Sequence, residues 1–145
     1  MDFAKILEQL QDAGLEAEGG TLNNGLAQIR VRVLGITFFL VPDHFPGYRE
    51  PEEDFLCLRT FLPMPGIDPR HKDFLEASFN RIASNIRMVK IYTVENEGAL
   101  YAFFEIQMLT SPEAFIQRLP RYAAECVRAI QQVGEHVNRH PSLAG

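Results

Sequence analysis

Two tight reversals constrain this chain more than any other feature. Gly35 separates an alternating run over 27–34 from an apolar run over 36–41. Asn96-Glu97-Gly98 separates a second pair of runs, 88–94 and 99–109. Links this short join antiparallel neighbours, because a parallel crossover needs a dozen residues or more. Glycine suits both places, since a hairpin turn or a bulge demands positive φ there.

The run over 27–34 alternates cleanly. Ala27, Ile29, Val31 and Val33 fall on one face and Gln28, Arg30 and Arg32 on the other, a strand with one wet side. The segments 36–41 and 55–62 read as strands apolar on both faces. Along 99–109, Leu100, Ala102, Phe104, Ile106 and Met108 make a core face, and Tyr101, Phe103, Glu105 and Gln107 the opposite one.

Three helices complete the pattern. Asp2 caps a first helix whose stripe is Phe3, Ile6, Leu7 and Leu10, and Gly14 stops it. Residues 15–18 continue as an extended piece or a short strand, with Gly19-Gly20 and Asn23-Asn24-Gly25 as turn chemistry. Asp68-Pro69 opens a second helix, with Leu75, Phe79, Ile82 and Ile86 on one face. Thr110 or Ser111 caps a third, whose stripe is Phe115, Leu119, Tyr122, Cys126, Ile130 and Val133. Pro120 inside that stripe should bend or split the helix. Gly134 ends its packed part.

The order α-β-β-β-α-β-β-α predicts a two-layer α+β domain, an antiparallel sheet with helices. One domain is expected over 1–134, with a flexible C-terminal tail over 135–145. Residues 42–54 form a loop rich in proline and acidic side chains.

Composition excludes several functions. With 14 Lys+Arg against 19 Asp+Glu the net charge is −5, the wrong sign for a general binder of nucleic acid or of anionic membranes. No apolar run approaches the ~20 residues of a membrane span, and the N-terminus lacks the pattern of a signal peptide. Cys57 and Cys126 read as buried free thiols of a reducing cytoplasm, with a disulfide left open. The 145 residues are 46% hydrophobic, enough for one domain of ordinary core.

The chemistry-bearing residues form no catalytic constellation. His136 and His140 are four apart, but no third metal ligand is placed and they read as solvated tail. His44 with Asp43, Glu50, Glu52, Glu53 and Asp54 lacks the ligand register of a calcium loop. Cys57 shares a strand face with Arg59, the one hint of an activated thiol. Arg30, Arg32 and Arg59 with Phe39, Tyr101 or Phe103 would make a stacking platform for single strands, against the charge balance. The glycines match no phosphate-binding spacing. No metal and no cofactor is expected.

The element order, Asn85-Ile86-Arg87 leading to Lys90-Ile91-Tyr92, the turn Glu95-Asn96-Glu97-Gly98 and the Ser111-Pro112-Glu113 helix start carry a resemblance. On these residues the chain resembles the YbjN-like family, whose fold is shared with type III secretion chaperones. The resemblance runs from Phe3 to about Val133. It implies a bacterial sensory transduction regulator with no established enzymatic activity. The chaperones of this fold are small, acidic homodimers that hold a partner chain in extended form.

An antiparallel sheet covered on one side should be polar on the other. Here Tyr101 and Phe103 oppose the core face, and Phe39 lies on a strand apolar on both. Phe3, Phe38, Phe79, Phe104 and Phe115 suffice for one core, yet the chain has 11 Phe. Either the second helix or the 42–54 loop covers the second face, or a partner does. The expected function is a non-enzymatic, cytoplasmic protein-interaction module, a homodimer, with no nucleic acid and no membrane as partner. Phe39, Phe74, Ser78, Tyr101 and Phe103 are its interface candidates. The alternatives are a small-ligand sensor, with a pocket between sheet and helices and Arg30, Arg32 or Arg59 as polar anchors, and an enzyme using Cys57.

Overall fold

Both hairpins form, each around two residues with positive φ. Leu34 (53°) and Gly35 (76°) turn the first, Glu97 (52°) and Gly98 (77°) the second. Positive φ at both central positions is the type I′ conformation, whose twist matches the flanking strands.

The computed structural model describes residues 2–23, 25–42 and 54–144. Its elements are α1 (Phe3–Asp12), β1 (Glu16–Thr21), β2 (Ala27–Val33), β3 (Ile36–Pro42), β4 (Asp54–Pro63), α2 (Lys72–Ser84), β5 (Lys90–Asn96), β6 (Ala99–Thr110) and α3 (Pro112–Asn138). The strands form one six-stranded antiparallel sheet in the order β1-β2-β3-β4-β6-β5. The fold is α+β and carries the expected element order, with one further strand, β1, directly after α1. The loop expected over 42–54, and the cation reading of its acidic side chains, lie for 43–53 outside the described residues.

The extended piece after α1 is an edge strand that runs on through both glycines to Thr21, and the glycines correct one expectation. Gly19 and Gly20 are not a turn: they pair with Ile29 and Gln28. A Cβ on Gly19 would lie 3.2 Å from Leu7 Cδ2 of α1, a tight contact from which the leucine would have to shift. The turn comes later, where the amide of Leu22 donates to the Leu26 carbonyl.

α1 closes as expected. Asp2 accepts from the Lys5 amide. At the other end, Leu15 donates to the Leu10 carbonyl and Gly14 to that of Gln11, with Gly14 at φ 83°. These two bonds satisfy carbonyls that the last turn leaves open, the Schellman arrangement. For α3, Ser111 rather than Thr110 is the cap, accepting from the Ala114 amide. Pro120 does not split α3, which runs unbroken past it. Residues 88 and 89 precede the fifth strand instead of opening it, with Met88 at φ 70°.

The contacts divide the chain into two compact units, Met1–Thr60 with Ile106–Ala123 and Phe61–Glu105 with Ala124–Gly145. The first buries Ile6 and Leu10 of α1, Ile29, Val31 and Val33 of β2, and Phe38 and Leu40 of β3. Phe115 and Leu119 of α3 are buried in it too, whereas Phe3 is only half-buried. Lys5 Nζ lies 3.3 Å from Glu113 Oε1. The helix-start amide and this lysine hold the Glu113 carboxyl below its ordinary pKa.

The second unit buries Leu75 and Phe79 of α2, Ile91 and Thr93 of β5, and Leu100, Ala102 and Phe104 of β6. Thr93 Oγ1 donates to Glu76 Oε1 at 2.6 Å, which sets α2 against the Ile91–Thr93 face of the strand. The C-terminal residues also pack in this unit, a second correction. α3 passes Gly134 to Asn138, a short 3₁₀ turn follows over Pro141–Leu143, and Leu143 is buried. The Asp68 amide donates to the Leu143 carbonyl, and Ile67 pairs with Ala144 in a β-bridge. Leu143 fills apolar space that solvent would otherwise occupy, and that burial offsets the entropy of ordering the tail.

Candidate functional site

In the first unit, strand register aligns residues that the sequence assigned to different roles. Arg30 pairs with Glu18 on one side and with Phe39 on the other, and Phe39 pairs with Arg59. The row Glu18–Arg30–Phe39–Arg59 therefore crosses four strands on the face away from Val31, Phe38 and Leu40. Arg30 Nη2 sits 2.5 Å from Glu18 Oε2. Arg30 and Arg32 line an open depression of about 420 Å³ with Glu16, Glu18 and Thr37. These anchors thus lie on an exposed sheet face among carboxylates, not in a pocket between sheet and helices.

In the second unit, β5 and β6 build an aromatic face. Tyr92 is the register partner of Phe103, and Val94 of Tyr101. The Tyr92 and Phe103 rings stack at 5.4 Å, Phe61 of β4 stacks on Phe103 at 5.5 Å, and Phe61 meets Tyr101 edge-on at 6.0 Å. Lys90 Nζ stands 5.4 Å from the Tyr92 ring centre. Phe61, Val94, Tyr101 and Phe103 border a depression of about 390 Å³. Phe61 is 41% exposed and the other three rings are half-buried. This face is opposite the one that α2 packs on, because Tyr92 and Val94 alternate with Ile91 and Thr93. Tyr101 and Phe103 are here as expected; the sequence pattern does not reveal Tyr92, and it offers Phe61 only as one of several surplus phenylalanines.

The α2 candidates separate. Ser78 is buried, not outward: its Oγ donates to the Phe74 carbonyl at 3.0 Å and accepts from Arg81 Nη2 at 3.4 Å. Its place is legible in the spacing, because 75, 78, 79 and 82 share one helical stripe. Phe74 is 45% exposed and packs beside His136 and His140, with ring centres 6.1 and 5.8 Å away. It belongs to the α2 side of the second unit, not to the aromatic face.

The thiols have enclosed surroundings. Cys57 and Cys126 are both free and buried. Burial pushes the Cys126 thiol up to about 12, with the Glu125 carboxylate adding to the shift. Arg59 Nη2 lies 3.9 Å from Cys57 Sγ, but Cys57 is only 1% exposed. Among the described residues, no three His, Cys, Asp or Glu side chains are grouped to hold a metal ion. No described helix is long and apolar enough to cross a membrane.

No family model and no curated protein matches this chain. Among solved structures it is similar to YbjN from E. coli, a proposed transcription regulator. The TM-score is 0.64 at 11% identity, over 94% of this chain and 93% of that one. At that identity the likeness speaks to architecture alone. Six antiparallel strands with three helices, superposing over nearly both lengths, give this chain a YbjN-like fold.

Proposed function

We propose that this chain is a non-enzymatic, cytoplasmic protein-interaction module that works in regulation and binds protein through the aromatic face of its second unit. The carrying observation is the stack of Phe61, Tyr92, Tyr101 and Phe103 on the sheet face that α2 leaves uncovered. Tyrosine and phenylalanine in one cluster supply large contact area at small rotamer cost, as in the centres of protein interfaces. A second copy of the chain is the expected first occupant. Regulation through protein contact also suits a net charge of −5 better than contact with DNA.

The test is a Phe61→Ser, Tyr101→Ser double variant beside the wild type. Light scattering over a concentration series should give a dimer for the wild type and a monomer for the variant, with unchanged circular dichroism. A wild type that stays monomeric at high concentration overturns the self-association. Equal capture of host proteins by wild type and variant overturns the assignment of this face.

A further inference from the structure

The C-terminal residues, packed rather than free, close a recess against α2. Ser78, Arg81 and Asn85 of α2 face Gln132 and His136 of α3 and His140 just beyond it, around a volume of about 400 Å³. Apart from Ile82, every described side chain that lines it is polar, and none of these is a carboxylate. That balance is unusual in a chain with 19 acidic residues.

The donors there are underused. Arg81 has no carboxylate partner among the described residues, and its guanidinium makes only a long bond to Ser78 Oγ. His136 Nε2 is buried with no hydrogen-bond partner. His140 Nδ1 lies 2.8 Å from the His136 carbonyl oxygen, which only accepts, so Nδ1 carries the proton. The two imidazoles sit 4.4 Å apart, centre to centre, against Phe74. Asn85 gives its amide to the Arg81 carbonyl, which steadies the end of α2.

The charge around the recess is positive. Arg81 comes from α2 and Arg139 from the C-terminal segment. The acid in that segment, Glu135, is already 3.8 Å from Arg139. Burial first, then His140, Arg81 and Arg139, hold His136 below its ordinary pKa. A metal cation would meet these same charges with two imidazoles and no third ligand. An anion would relieve them.

We propose that this recess binds a small oxyanion, a phosphate or carboxylate group, with Arg81 as principal anchor, Gln132 and His136 Nε2 as supporting donors, and His140 beside them. A guanidinium holds such groups through charge-assisted hydrogen bonds, and a neutral imidazole adds one N–H.

The experiment follows the ring resonances of His136 and His140 in the full chain by nuclear magnetic resonance. Sodium phosphate and sodium acetate are titrated separately, with sodium chloride at matched ionic strength as control. Saturable shifts with phosphate, acetate or both, absent with chloride, are expected at fixed pH; which salt acts tells the two anion classes apart. Arg81→Gln should weaken binding by about tenfold or more, the loss of a charged hydrogen bond. If that variant does not fold, Gln132→Ala carries the same comparison with a smaller loss. No saturation in the millimolar range, equal shifts with chloride, or full affinity in the folded variants overturns the proposal.

Discussion

Leu34 occupies a backbone conformation that leucine resists. Its φ of 53° places Cβ against the following carbonyl, and its side chain, 63% exposed, packs on little. Leu34→Asn should relieve the strain and make the favoured Asn-Gly turn. We expect a gain of about 0.5–1 kcal/mol, read as a melting temperature ~2–4 °C higher; a lower one would show that Leu34 has a contact worth more than the turn. The thiols give a second residue-scale prediction. With Cys57 1% exposed and Cys126 pushed to about 12, neither should react with an alkylating agent in the native protein. Both should react once the chain is unfolded. Fast native alkylation of Cys57 would revive the enzymatic reading.

Elements are legible in the sequence where the cause of their shape is local. Gly35 and Gly98 announce the hairpins because positive φ is a requirement of the turn itself. The stripes of α1, α2 and α3 follow from 3.6-residue periodicity, and Leu75, Phe79, Phe115 and Cys126 are buried as their spacing demands. Gly19 reads as a turn residue from sequence because the true cause is remote: Leu7, on another element, approaches the strand. The two glycines of β1 can therefore be told apart. A Cβ on Gly20 would have nothing within 4 Å, and its backbone is ordinary strand, so Gly20→Ala should be neutral or stabilise by up to about 0.5 kcal/mol. Gly19→Val should cost about 1–3 kcal/mol by overpacking against Leu7. Denaturant midpoints of the two variants check the contrast, and equal midpoints would refute it.

At the scale of the molecule, the sequence indicates a second apolar surface but not its members. Tyr101 and Phe103 follow from alternation along one strand. Phe61 and Tyr92 join them only through strand register, which a single strand's pattern does not contain. The packing of the C-terminal segment is hidden for the same reason, since Leu143 and Ala144 are held by Asp68 and Ile67. That clasp makes one amide a remote gauge. The Asp68 N–H is covered by the Leu143 carbonyl, so its hydrogen–deuterium exchange rate reports the opening of a segment far along the chain. Protection at Asp68 should therefore rise when phosphate or acetate fills the recess beside His140, and should vanish when residues 141–145 are removed while the β5–β6 amides stay slow.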